Sequence, residues 1–427
     1  MRVQGVVRPP GDKSISHRAL LLGALARGVS ELRGLLTGED VKSTARVLRQ
    51  LGATVSPVRA RAVTVVRGGK LSAPAARLNC GNSGTTTRLL LGVLAGQRFA
   101  ATLTGDASLR RRPMRRVTEP LKAMGARITE GAGDHLPVTI RGGRLHALDY
   151  TSPVASAQVK SALLLAALTG NVAVTVREPH RSRDHTERLF VHLGLPIHER
   201  DGAIMYTPDG GPAKVPPLRL AVPGDVSSAA FLVAAAVLAE AGELLVENVG
   251  VNPTRVGALV VLERMGAHVE RVNLRDAGGE PVADLLVRPA AALRSTEVLA
   301  KEIPSLVDEV PILAVVASRA AGDTVFREVG ELRVKESDRL ALVAANLRAV
   351  GVTADVQGND LHVRGTERAP RGRVETAKDH RLAMAFAVMG TLPGADVRLS
   401  ERRSVAISYP EFFRDLRRIG GHARHRD

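Results

Sequence analysis

Two short stretches combine acids and bases at spacings suited to moving a proton beside an anion. In Arg333-Val334-Lys335-Glu336-Ser337-Asp338-Arg339, a lysine and a glutamate adjoin in a loop, and an arginine opens the next helix. That helix is expected over 338–350, because Leu340, Val343 and Leu347 keep a helical period, with Ser337 as its cap. A carboxylic acid beside fixed cations can protonate carbon or take a proton from a hydroxyl. The second stretch, 303–309, sets Asp308 and Glu309 ahead of an apolar helix at 310–320. Acids there also complement the helix dipole. The group at 335–339 equally fits an ordinary surface ion-pair cluster, so residue types alone leave both readings open.

A second set of residues points to anions. Pro10-Gly11-Asp12-Lys13-Ser14 forms a turn, with Arg18 just before an apolar run at 19–26. A helix N-terminus attracts negative charge, and a cation there opposes the dipole unless an anion is bound. The pattern recurs at Arg88 after Gly81-Asn82-Ser83-Gly84, at Arg339, and at Arg381 after Lys378-Asp379-His380. Four such arginines imply helix ends converging on a polyanion. Ser156, Ala157 and Gln158 open another apolar helix with neutral donors and acceptors, and Arg112 closes a run of three arginines. His185, within 181–187, is read as a capping or surface histidine, because no metal-ligand spacing accompanies it. Lys13-Ser14 is no P-loop, since Asp12 stands where that motif needs glycine.

The elements that carry these residues repeat. Six alanine- and leucine-rich helices are expected, at 19–26, 85–94, 159–168, 227–238, 310–320 and 382–389, each after a small or polar loop. Between them an amphipathic helix ends in glycine and turns into a strand, at Gly52, Gly125, Gly194, Gly266, Gly351 and Gly420. Strands are expected at 62–66, 172–176, 244–249 and 396–399, and Asn252 is read as the cap of a helix over 253–265. A period of roughly 70 residues marks a repeat architecture. We read an α/β chain of six units, three per domain. One domain comprises 1–9 plus 223–427 and the other 10–222, with a cleft between them where the helix ends converge.

Composition narrows the function classes. The net charge is +17, yet aromatic residues make up 2% and tryptophan is absent, so stacking platforms for nucleic acid are scarce. The single cysteine, Cys80, excludes an intrachain disulfide and a cysteine metal cage, which fits a reducing cytoplasm. No secretory signal is visible, and the longest apolar run, 229–239, is too short to span a bilayer. Nine lysines stand among 60 basic residues, which singles out Lys13 and Lys335 within polar motifs; most other lysines are read as surface positions.

The motifs PGDKSISHRALLLGALA, GNSGTTTRLL, GDASLRRRPM, SAQVKSALLL, RVKESDRL and KDHRLAMAF, in this order, resemble the 5-enolpyruvylshikimate-3-phosphate synthase family over nearly the whole length. GDKS, SAQVK, RDHTE and NPTR are similar to its class II branch. The resemblance implies two domains of three βαβαββ units each, an inside-out α/β barrel. It implies transfer of enolpyruvyl from phosphoenolpyruvate to the 5-hydroxyl of shikimate 3-phosphate, with no metal or cofactor, by a cytoplasmic monomer of aromatic amino acid biosynthesis. By motif position, Lys13, Ser14, Arg18, Ser156, Ala157, Gln158 and Arg183 would hold shikimate 3-phosphate. Gly84, Arg112, Arg339 and Arg381 would line the phosphoenolpyruvate site, with Lys13 also near it, and Asn82 would bind substrate. Asp308 would take the hydroxyl proton, Glu336 would protonate the methylene carbon, and Lys335 would orient substrate beside Asp308.

Two departures qualify the match. Many members carry a lysine just before the final F/Y-P, and 406–410 has none. Glu331 stands where some members have asparagine and is given no role. The class II features imply tolerance of the inhibitor glyphosate, whereas Gly84 implies sensitivity. Three rival readings remain open to the residues: a sister transferase acting on UDP-N-acetylglucosamine, whose reactive cysteine is replaced here by about Ala107; an RNA-end-binding protein, against which the missing aromatics argue; and a non-catalytic relative, against which Asp308, Lys335 and Glu336 argue.

Overall fold

The computed structural model describes residues 1–211 and 214–420. The chain divides into two compact units, one of Met1–Pro10, Pro223–Asp276 and Pro281–Asp427, the other of Gly11–Val222 and Ala277–Glu280. Each has its own hydrophobic core.

Three apolar helices form the middle of each unit. In the Gly11–Val222 unit they are α1 (Lys13–Leu25), α2 (Gly84–Ala95) and α3 (Ala157–Gly170); in the other they are α4 (Val226–Val237), α5 (Val310–Ala317) and α6 (His380–Met389). These helices have no polar face. All twelve residues of α4 and all ten of α6 are buried, so their surroundings must be protein on every side. Short polar side chains cap five of the six. Asp12, Ser83, Ser156, Asp225 and Asp379 each accept a backbone N–H from the first turn, satisfying donors that burial would otherwise leave bare.

Mixed sheets pack outside these helices. The strand Leu78–Asn79 pairs in parallel with Ala100–Thr104, because α2 crosses between them. Antiparallel strands His135–Arg141 and Arg127–Gly131 complete that sheet. Leu148–Thr151, Val174–Arg177, Ala203–Tyr206 and Ile197–Arg200 repeat the plan around α3. Around α5 it is formed by Glu297–Val298, Asp323–Phe326, Asp360–Arg364 and Ala354–Gln357. In two sheets the leading strand comes from far along the chain. Arg219–Ala221 pairs with Val29–Arg33, and Arg2–Val7 pairs with Ala241–Gly250, Arg2 opposite Ala241. The sixth unit shows two strands among the described residues, Arg371–Val374 and Asp396–Leu399. The strand expected after Gly420 lies outside the described residues.

All six helix-stop glycines adopt the left-handed conformation, with φ between 65° and 102°. Several helix starts differ from expectation. The first apolar helix begins at Lys13, not 19, because Asp12 caps it; Arg18 therefore lies in the second turn. Asp338, not Ser337, caps the helix Arg339–Ala349. Asn252 forms a local turn to Thr254, and the helix expected over 253–265 runs Gly257–Arg264.

Candidate active site

The expected residues fall into two clusters, one in each unit. In the unit of Pro223–Asp276 and Pro281–Asp427 the centre is Arg339, 1% exposed. Its Nε donates to Asp379 Oδ2 at 2.7 Å and its Nη2 to Asp379 Oδ1 at 3.3 Å, a two-point grip on one carboxylate. The same guanidinium donates to Glu336 Oε2 at 2.5 Å and to Asp308 Oδ1 at 3.4 Å. Burial alone would lower the Arg339 pKa, but Asp379, Glu336 and Asp308 together raise it above the usual arginine value. Burial pushes Asp379 the other way from its partner, yet the Arg339 charge wins and holds its carboxyl below the usual range.

Asp308 lies among three cations. Lys335 Nζ is 3.7 Å and Arg339 Nη1 3.4 Å from its Oδ1, and Arg381 Nη2 is 3.9 Å from its Oδ2. Arg381 also donates to the Asp308 carbonyl at 2.9 Å and to Glu309 Oε1 at 3.3 Å. Glu309 in turn accepts from Ser227, whose hydroxyl also accepts from Arg255 at 2.7 Å. Asp308 and Glu336 keep 15% and 21% of their side chains exposed, enough to meet a ligand.

Local backbone delivers these groups. Ala377 and Lys378 both adopt positive φ, 49° and 59°, so the chain doubles back before α6 and sets Asp379 at its start. There Asp379 caps Arg381 N at 2.9 Å, accepts from Ser337 Oγ at 3.0 Å and grips Arg339. The sequence marked Ser337 as a cap; its hydroxyl instead ties the loop of Lys335 and Glu336 to Asp379.

In the Gly11–Val222 unit, Lys13 is the first residue of α1 and pairs with Asp40 at 3.2 Å. Arg18, 4% exposed, donates to Thr186 Oγ1 at 2.7 Å, Ser161 Oγ at 2.6 Å and the Ser14 carbonyl at 3.0 Å. Its pKa is pulled down to about 10, chiefly by burial, with the Arg183 charge adding and Glu187 and Asp12 opposing. Arg112 donates to Asn82 Oδ1 at 2.6 Å, and Asn82 donates to Asp106 at 2.7 Å. Arg88 donates to Gln158 Oε1 at 2.6 Å and Gln158 to Thr85 Oγ1 at 3.1 Å. A Cβ on Gly84 would lie 3.3 Å from Arg88 Nη1 and 3.5 Å from Arg112 Nη1, so both guanidinium groups gather at the start of α2. Ser156 Oγ accepts from Val159 N, placing Ala157 and Gln158 in the first turn of α3.

Two expectations are corrected here. His185 is buried and pairs with Glu280 at 2.7 Å instead of lying at the surface. Lys160 is also buried, 2% exposed, between Glu178 and Glu187 at 2.8 Å each. The sequence carried a signal for Lys160: a helix apolar on every face leaves no solvent side for a lysine. No group of three or more potential metal ligands occurs among the described residues, and none of their helices is long and apolar enough to cross a membrane. The segment Arg403–Ile407, where a lysine is missing, forms a 3₁₀ turn.

A sequence model of the family EPSP synthase (3-phosphoshikimate 1-carboxyvinyltransferase) matches residues 1–416. The chain is 44% identical over 420 residues to the 3-phosphoshikimate 1-carboxyvinyltransferase of Geobacter metallireducens, covering 98% of this chain and 97% of that one. It is 49% identical over 423 residues to the enzyme of the same name from Thermosynechococcus vestitus, covering 98% and 95%. Its fold is similar to that of the EPSP synthase of Acinetobacter baumannii, with a TM-score of 0.85, 37% identity and 98% and 96% coverage.

Proposed function

The chain belongs to the EPSP synthase family, and from that membership we propose how its own side chains transfer the enolpyruvyl group of phosphoenolpyruvate to the 5-hydroxyl of shikimate 3-phosphate. Asp308 takes the hydroxyl proton as the oxygen attacks C2 of phosphoenolpyruvate. Glu336 gives its proton to C3, which becomes a methyl group, and the adduct is a tetrahedral ketal phosphate. In the second step the Glu336 carboxylate removes a methyl proton, the C2–O bond to phosphate breaks, and phosphate leaves with the proton held by Asp308. Atoms and charge then balance, and both acids return to their starting states.

The observation that carries this reading is the convergence of Lys335, Arg339 and Arg381 on Asp308, with Glu336 on the same Arg339 guanidinium. These fixed cations suit a developing anion and need no reorganisation as charge shifts. Lys335 orients substrate beside Asp308. Lys13, Ser14, Arg18, Ser156, Ala157, Gln158 and Arg183 hold the phosphorylated acceptor; Asn82, Gly84, Arg112, Arg339 and Arg381 hold phosphoenolpyruvate, with Lys13 also near it. The reading assigns the reaction to a cytoplasmic monomer.

Phosphate release from phosphoenolpyruvate tests it. Release should require shikimate 3-phosphate and fall by about 10²–10⁴-fold in Glu336→Gln, the range for losing a general acid. Release that proceeds with UDP-N-acetylglucosamine and not with shikimate 3-phosphate would reassign the acceptor.

A further inference from the structure

Glu178 stands at the end of the strand Val174–Arg177 and is assigned no part in the reaction above. Its side chain is 7% exposed, and its two oxygens gather four groups. Oε1 accepts the backbone N–H of Ser156 at 2.9 Å. Oε2 accepts the Lys160 ammonium at 2.8 Å. The Ser182 hydroxyl reaches both oxygens, at 2.7 and 2.8 Å, and the Ser182 N–H reaches Oε2 at 3.3 Å. Lys160 completes the knot, 2.8 Å from Glu187 Oε1 and 3.5 Å from the Ser182 carbonyl.

These contacts join two separate loops. Ser156 opens α3 and fixes where Ala157 and Gln158 point; Ser182 immediately precedes Arg183. One carboxylate therefore sets the distance between a pair of neutral hydrogen-bonding groups and a cation. A carboxylate buried for stability alone would need one counter-ion, and Lys160 already has a second partner in Glu187. The two backbone N–H bonds instead fix the position of main chain on either side.

We propose that Glu178 is a positioning residue for the phosphorylated acceptor: it locks the Ser156–Gln158 turn and the Arg183 loop at the spacing that the substrate's phosphate and hydroxyl groups require. This rests on the assignment of those two loops to shikimate 3-phosphate. Acceptor binding, not the chemical step, should then depend on Glu178.

The test compares Glu178→Gln, Ser182→Ala and Arg183→Ala with the unmodified enzyme by steady-state kinetics in both substrates, with thermal melting alongside. Losing the buried charge should raise KM for shikimate 3-phosphate about tenfold, leaving kcat within about threefold and KM for phosphoenolpyruvate within about twofold. A purely structural role would lower the melting temperature without separating the two KM values. Should Glu178→Gln not fold, Ser182→Ala removes one hydroxyl and should still raise the same KM about threefold. An unchanged KM in a folded Glu178 or Ser182 variant, with Arg183→Ala raising it, overturns the positioning role alone. An unchanged KM in all three overturns the placement of these loops at the acceptor and the proposal with it.

Discussion

At the scale of single residues, charge is held where it would otherwise be costly. His17, inside α1, is fully buried, with Nδ1 2.7 Å from Thr44 Oγ1. Burial first, then the charges of Lys13 and Arg18, push its pKa well below 6.5. Below about pH 6.5 the unfolded chain takes up a proton that the folded chain refuses. Stability should therefore be full above that pH and fall by up to ~1.4 kcal/mol per unit below it. Urea midpoints at pH 7 and pH 5 should differ less in His17→Gln than in the unmodified chain; equal differences would remove His17 from the account. Residue spacing revealed the grouping of Lys335, Glu336 and Arg339, because these are sequence neighbours. It did not reveal that Asp379 anchors them, because that grip spans 40 positions and depends on how two loops fold together.

Elements were more legible than their ends. A helix without a polar face and a glycine after an amphipathic one are strong local signals, and all six of each are present in the structure. Starts were misplaced where polar residues lie in a buried helix. The apolar run placed the first helix at 19–26 with Arg18 at its start, yet Lys13 to Arg18 already lie in α1, and Ser16, His17 and Arg18 are buried. What the sequence withheld is the partners, such as Thr44 and Thr186, that make burial of these groups tolerable. The close crossing of α2 and α3 was equally hidden. A Cβ on Gly92 would come within 2.2 Å of the Ala162 carbonyl oxygen. Gly92→Ala must force the two helices apart, at a cost of about 1–3 kcal/mol, the range for an overpacked core. A lowered melting temperature checks this; a melt within a degree of the unmodified protein would contradict it.

At the scale of the whole molecule, the described residues form two cores, and among them no side chain belongs to both. Each core is large enough to melt as a cooperative block. Calorimetry should give a van't Hoff enthalpy below the calorimetric one, the mark of more than one transition. Gly92→Ala should move only the component that belongs to the Gly11–Val222 unit. One sharp two-state peak displaced as a whole would show instead that the units unfold together. The motif pattern restarts near Val222, and the division of the chain falls at Val222 and Pro223. The tip Ala277–Glu280 was not legible, since nothing in its composition ties it to the unit that contains His185.

The strand pairing of Arg2–Val7 with Ala241–Gly250 has a consequence for how the protein emerges from the ribosome. The Gly11–Val222 stretch can close its own sheets as soon as Arg219–Ala221 appears. The strand Arg2–Val7 has no partner until Ala241–Gly250 has also left the exit tunnel. At translation speeds of roughly 5–20 residues per second, it waits for roughly ten to fifty seconds with an open edge. Arg2, Gln4 and Gly5 lie among its valines and Arg8 follows its end, a composition that disfavours edge-to-edge pairing of an unpartnered strand.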